Sequence, residues 1–123
     1  MFEYLVFREG YSFQGDREVR IEVDGECLRY RTSDGRLYRI IPDSGNPAEG
    51  VYGGDAGSFI RKLESFDVPG WSSRYCCQSG DGYWWNLRYK EAGKPCRKIS
   101  GSNDSPDCFP AFVSHVSSVA SGM

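Results

Sequence analysis

The sequence has little of what catalytic and metal sites commonly use. It contains a single histidine, His115, and its five cysteines include no Cys-x-x-Cys pair. A structural zinc site needs four ligands, and a serine or cysteine nucleophile usually needs a base that a third group orients. Cys108 and His115 are the nearest candidates for a nucleophile and its base. No Gly-x-Ser-x-Gly turn is present in the sequence. We therefore expect no catalytic residues, no metal and no cofactor, and we interpret the protein as non-enzymatic.

Long apolar runs are also missing. The N-terminal segment MFEYLVF is interrupted by Glu3 and followed by Arg8, which is unlike a signal peptide, and no stretch has the length of a membrane span. The odd number of cysteines without framework spacing suggests reduced thiols. These features predict a cytoplasmic protein with no membrane contact.

The net charge of the chain does not indicate a class of binding partner. The formal net charge is −2, so there is no overall attraction to nucleic acid or to an anionic membrane. The length of 123 residues fits one compact domain, 1–123, with a real hydrophobic core. The oligomeric state is left open.

The first half of the chain predicts antiparallel strands. Residues 2–8 alternate loosely, with Phe2, Tyr4 and Val6 on one face. Alternation is clearer over residues 19–23, and Asp-Gly pairs follow at 24–25 and 34–35, as in two-residue hairpin turns. We expect a three-stranded meander that ends at Pro42.

The turn positions also predict a register. A two-residue loop at 24–25 would place Val23 opposite Glu26, Ile21 opposite Leu28 and Val19 opposite Tyr30. The apolar set fixes the buried face. The opposite face is then polar and rich in arginine, and its expected members are Arg20, Glu22, Cys27, Arg29, Arg31, Arg36, Tyr38 and Ile40.

The second half predicts helix, strands and helix. Residues 42–57 have loop composition, and Asp55 is expected as the N-cap of a helix that reaches Phe66 rather than as part of a phosphate-binding loop. Residues 73–77 and 83–89 are expected to form a hairpin, followed by a strand over 95–100 and a helix over 107–119. The fold class is α+β, with an antiparallel sheet of about six to seven strands and both helices packed on one face.

All three tryptophans fall between residues 71 and 85. On the strand 83–89, alternation puts Trp85 with the core set and Trp84 on the polar side with Asn86 and Arg88. Trp71 follows a Pro-Gly turn and is expected near the same rim. An exposed tryptophan beside arginine is typical of an interface anchor, although a covering helix or loop would bury it. The candidate binding residues are Trp84, Trp71, Arg88, Asn86, Arg29, Arg31 and Tyr38.

Two functions remain open. The first is a small cytosolic protein that acts by binding another protein, as inhibitors, immunity proteins and anti-defence factors of bacteria or phages do. The second is binding of single-stranded nucleic acid or a nucleotide on the sheet face that carries arginine and tyrosine. Glu18 and Glu22 lie on that face and oppose a phosphate backbone, so the first function is favoured.

Overall fold

The computed structural model describes residues 1–11, 15–34, 48–77 and 82–119. The strands are β1 (Phe2–Tyr11), β2 (Gly15–Asp24), β3 (Cys27–Asp34), β4 (Ala48–Val51), β5 (Arg74–Cys76), β6 (Tyr83–Glu91) and β7 (Arg97–Ser102). The helices are α1 (Ala56–Ser65) and α2 (Phe109–Ser117), and a 3-10 turn covers Val68–Gly70.

The seven strands form one mixed sheet in the order β4-β3-β2-β1-β6-β7-β5. With two helices, this confirms the α+β class. The sheet is not wholly antiparallel as expected, because β5 pairs with β7 in parallel. The prediction that residues 73–77 and 83–89 form a hairpin is also wrong. The two neighbours of β6 in the sheet are β1 and β7, so β5 does not pair with β6.

The hairpin of β2 and β3 exists, but its register differs from the prediction by two residues. Asp24 pairs with Cys27, and Val23 therefore faces Leu28 rather than Glu26. The loop consists of Gly25 and Glu26, with Gly25 at φ +63° and Glu26 outside the left-handed region. A glycine at the first loop position is typical of a type II′ turn. Because side chains alternate with a period of two, the shift leaves the described residues of β2 and β3 on their predicted faces.

The N-terminal strand contains an irregularity that the sequence did not reveal. The pairing of β1 with β6 shifts between Phe2 and Tyr4, as at a β-bulge. Phe2 is consequently buried at 1% exposure, whereas Tyr4 is exposed. The expectation that Phe2 shares a face with Tyr4 and Val6 is therefore wrong.

The segment 42–57 is not all loop. Its residues Ala48–Val51 form β4, which pairs with Arg29 to Thr32 of β3 at the edge of the sheet. The expected strand over 36–41, the turn at 34–35 and the end at Pro42 fall wholly or partly outside the described residues.

Both helices present apolar side chains to a shared core. The Asp55 carboxylate accepts a hydrogen bond from the Gly57 amide at 3.2 Å, which confirms the predicted N-cap of α1. Phe59 and Leu63 of α1 and Phe112 and Val116 of α2 are buried in one cluster with alternate residues of the strands. Phe112, for example, lies 6.0 Å from the ring of Phe7. The other strand residues of β1, β2, β3 and β6 are more exposed.

Candidate functional site

The strand side chains that do not join the core line a broad, shallow depression of about 1160 Å³. We refer to this surface as the open face. Side chains of five strands, β1, β2, β3, β4 and β6, contribute to it, together with β7 at one end. Its members are Tyr4, Val6, Arg8, Glu18, Arg20, Glu22, Arg29, Arg31, Glu49, Val51, Asn86, Arg88, Lys98 and Ser100.

The pairing of the strands sets these side chains in rows across the sheet. Val6 of β1 lies opposite Arg20 on one side and Arg88 on the other. The same row continues to Arg31 of β3 and to Lys98 of β7. Residues directly opposite on one face of a sheet are close enough to interact. This row therefore contains four cations, two on each side of Val6.

Most of the arginines on the open face are held by carboxylates. Arg8 pairs with Asp16 and with Glu18, and the hydrogen bond to Asp16 raises the pKa of Arg8. Arg20 Nε lies 2.9 Å from a carboxylate oxygen of Glu18. Exposed pairs of this kind contribute only about 0–1 kcal/mol each to stability. Their effect here is to fix the direction of long side chains.

The two arginines of β3 also form ion pairs with carboxylates, near the β4 edge of the sheet. Arg29 Nε lies 3.4 Å from Asp24, and Arg31 Nε lies 3.3 Å from Glu49 of β4. Arg88 and Lys98 differ, since neither forms an ion pair with a carboxylate in the part of the chain that the structure describes. Among the described residues of the open face, the cations without a carboxylate partner therefore lie at its β6–β7 end.

Five of the predicted binding residues lie on the same side of the sheet. Asn86 and Arg88 of β6 and Arg29 and Arg31 of β3 all line the open face. Trp84 is half-buried next to it, opposite Gly10 of β1 and Ser102 of β7. The structure therefore brings the two predicted groups, from β3 and from β6, onto one surface.

Trp71 does not lie near this surface. Its side chain is only 7% exposed, and its ring packs edge-on against Trp85 at 6.2 Å and against Phe112 at 5.1 Å. The indole Nε1 donates a hydrogen bond to the Phe66 carbonyl at 2.9 Å. The expectation that Trp71 shares a rim with Trp84 is corrected, because Trp71 covers the core instead. Tyr38 lies outside the described residues.

Tyr4, Val6 and Lys98 were not among the candidates. The side of Lys98 was accessible to sequence reasoning, because it alternates with the buried Ile99 on the strand that follows β6. The positions of Tyr4 and Val6 next to the β6 residues could not be predicted from the sequence, because β6 is more than 70 residues away from β1 along the chain. A hydrogen bond with Cys96 raises the pKa of the Tyr4 phenol, which is therefore neutral near pH 7.

Catalytic and metal chemistry has few candidates in the described residues. No group of three or more His, Cys, Asp and Glu among them is placed to hold a metal ion. His115 is half-buried, stacks on Phe59 at 4.0 Å and has Nε2 at 2.9 Å from the Phe59 carbonyl. Its burial lowers its pKa. His115 therefore acts in the packing of α1 on α2.

A second polar cluster lies at the end of the sheet. The Tyr83 hydroxyl donates a hydrogen bond to Glu9 at 2.8 Å, and Arg17 pairs with the same carboxylate and reaches Ser117 at 2.9 Å. Burial, followed by the contact with Glu9, raises the pKa of Tyr83. These bonds join β1, β2 and β6 to α2, which is a structural role.

No protein family model matches the chain, and no curated protein is similar to it at a significant level. Among the described residues, no helix has the length and apolarity needed to cross a membrane.

Proposed function

We propose that this protein is a small non-enzymatic binding protein that acts by contact with another protein through the open face. Inhibitors, immunity proteins and anti-defence factors of bacteria or phages are proteins of this kind. The observation that carries the proposal is a sheet face on which Tyr4 and Val51, at 37% and 54% exposure, stand among oriented arginines. Aromatic and arginine side chains are enriched where proteins bind each other.

The architecture supports this use of the sheet. In our proposal both helices pack on one face of a single domain, which leaves the open face free for a partner. The contacts of Phe7 with Phe109 and Phe112 support this arrangement, because Tyr4 and Arg8 alternate with Phe7 along β1 and are exposed. A sheet with one packed and one exposed side is common in antiparallel folds.

The ion pairs of the open face also support protein binding. Association loses free energy when long side chains become ordered, by about 0.5–1.5 kcal/mol for each one. Arg20 and Arg31 are already held by Glu18 and Glu49, so less of this loss remains to be incurred on binding. A partner meets a surface whose shape is largely preformed.

Binding of single-stranded nucleic acid has less support. Arg29 and Arg31, which would contact phosphates, have carboxylate partners, and Glu22 stands beside them on the same face. Stacking of successive bases needs aromatic side chains in sequence along a basic groove. Within the described ranges, Tyr4 is the one aromatic side chain placed among the arginines of the open face, and Trp84 lies at its end.

The proposed location is the cytoplasm. Cys27 and Cys76 are free thiols, and both are exposed. Exposed free thiols fit a reducing compartment better than an oxidising one.

A photo-crosslinking experiment tests the function. The benzophenone amino acid p-benzoylphenylalanine is placed at Tyr4 on the open face or, as a control, at Lys62 on the exposed side of α1, and source cells are irradiated. We expect a discrete protein adduct from position 4 and none of the same mass from position 62. An adduct with nucleic acid from position 4, or equal protein adducts from both positions, would contradict the proposal.

A further inference from the structure

Two pairs of like charges face each other on the open face. Arg20 lies opposite Arg31 across β2 and β3, and Arg88 lies opposite Lys98 across β6 and β7. Like charges directly opposite each other on a sheet destabilise it. Each pair therefore benefits from an anion close by.

The two pairs differ in whether the chain itself supplies that anion. Glu18 accepts from Arg20 at 2.9 Å, and Glu49 lies 3.3 Å from Arg31. No carboxylate within the described ranges is in ion-pair distance of Arg88 or Lys98. Of the two pairs, only the second still lacks its counter-charge.

The surroundings of the second pair suit a protein segment. The glutamates that line the depression belong to β2 and β4, and strand β1 separates them from Arg88 and Lys98 of β6 and β7. Beside Arg88 and Lys98 are the apolar Val6, the aromatic Tyr4 and the uncharged Asn86 and Ser100. This half of the open face combines uncompensated positive charge with apolar and hydrogen-bonding side chains.

We propose that Arg88 and Lys98 bind carboxylates of an acidic segment of the partner protein, whose apolar side chains contact Val6 and Tyr4. This inference rests on the proposed function and adds the chemistry of the partner. Charge complementarity carries it, because a carboxylate between the two cations replaces repulsion by attraction. Such steering also favours the acidic partner over others.

A phosphate backbone fits this surface less well. It carries a negative charge at every nucleotide, and its continuation across the sheet would meet Glu18, Glu22 and Glu49. A protein segment can present one or two carboxylates at Arg88 and Lys98 and uncharged residues elsewhere.

The test uses two probes of opposite class, a short poly-L-glutamate and a single-stranded oligothymidylate of equal charge, each titrated into the isotope-labelled whole protein at low salt. We expect poly-L-glutamate to shift the amide signals of Arg88 and Lys98 and their neighbours and to bind more tightly than the oligothymidylate. Binding should weaken as salt is added.

Charge variants make the assignment specific. Lys98→Glu should reduce the affinity for poly-L-glutamate by about tenfold, and Lys98→Gln should reduce it by less. Lys62→Glu, the same change on α1, should alter it less than twofold. In the Lys98→Glu variant, the new carboxylate can pair with Arg88, so the melting temperature of the variant should equal or exceed that of the wild type. A loss of binding in this variant would then not be caused by unfolding.

Other results would overturn the inference without deciding the proposed function. These are no binding of poly-L-glutamate at low salt, tighter binding of the oligothymidylate, or binding that Lys98→Glu leaves unchanged. The crosslink from position 4 separately tells whether the open face contacts a protein at all.

Discussion

The guanidinium carbon of Arg8 lies 5.8 Å from the centre of the Trp84 ring, over its face. Arg8 is at the same time paired with Asp16 and Glu18, so its position is set by groups of β2 while it covers a residue of β6. A cation over an indole at a partly exposed site contributes about 0.5–1 kcal/mol. Trp84 is therefore anchored at the edge of the open face rather than free in solvent.

Removal of Trp84 should spare the fold. We expect Trp84→Ala to lower the free energy of unfolding by about 1 kcal/mol, because the side chain is half-buried and the contact with Arg8 is lost. It should also weaken partner binding, measured as the yield of the crosslink from position 4. An unfolded Trp84→Ala variant, seen by circular dichroism, would mean that Trp84 is a core residue.

The neighbouring tryptophan should behave differently. Trp85 is fully buried, donates from Nε1 to the Asp104 carbonyl at 2.9 Å and packs on Phe109 at 4.6 Å. Trp85→Ala should lower the free energy of unfolding by about 3–5 kcal/mol in urea denaturation. Trp84→Ala is the matched control, and equal losses for the two variants would show that the two sides of β6 are assigned incorrectly.

A small residue should be required beside Trp85. A Cβ atom at Gly101, directly opposite on β7, would overlap with Trp85 Nε1 and would lie 2.7 Å from the Asp104 carbonyl oxygen. Gly101→Ala should therefore destabilise the protein by about 1–3 kcal/mol or more. The loss should be smaller when Gly101→Ala is introduced into Trp85→Phe, since that variant frees space near the indole nitrogen. Strictly additive losses in the double-mutant cycle would contradict this contact.

Stability should depend on pH through the single histidine. Burial lowers the pKa of folded His115, so the unfolded chain binds a proton at higher pH than the folded protein does. Because the state that binds more protons gains as pH falls, the free energy of unfolding should decrease as pH drops below about 6.5. His115→Gln should remove the decrease due to this group. A stability that rises between pH 7 and 5.5 would show that the folded protein favours the charged imidazole.

The predictable part of the fold is the side on which each strand residue lies. Alternation placed Val19 and Ile21 in the core and Arg29 and Arg31 outside, and a register shift of two residues did not disturb this. Which strands become neighbours was not predictable in the same way. The pairs of β1 with β6 and of β5 with β7 depend on long-range packing, about which local periodicity carries no information.

The candidate site was predictable in outline for the same reason. Arg29, Arg31, Asn86 and Arg88 were each placed on a polar strand face, but nothing local showed that β3 and β6 contribute to one surface. Trp71 was misplaced because it lies outside any strand, where alternation does not apply. Its burial follows from its packing against Phe112, a contact between distant parts of the chain.

The uneven distribution of charge has a consequence before any contact is made. Among the described residues, six Lys and Arg side chains line the open face, and four of them, Arg8, Arg20, Arg29 and Arg31, have carboxylate partners. Arg88 and Lys98 therefore make the β6–β7 end of the open face locally positive, although the chain as a whole is mildly acidic. An acidic partner is turned toward that end within about one Debye length, roughly 8 Å at physiological salt. This local positive charge should govern how fast a complex forms more than how long it lasts.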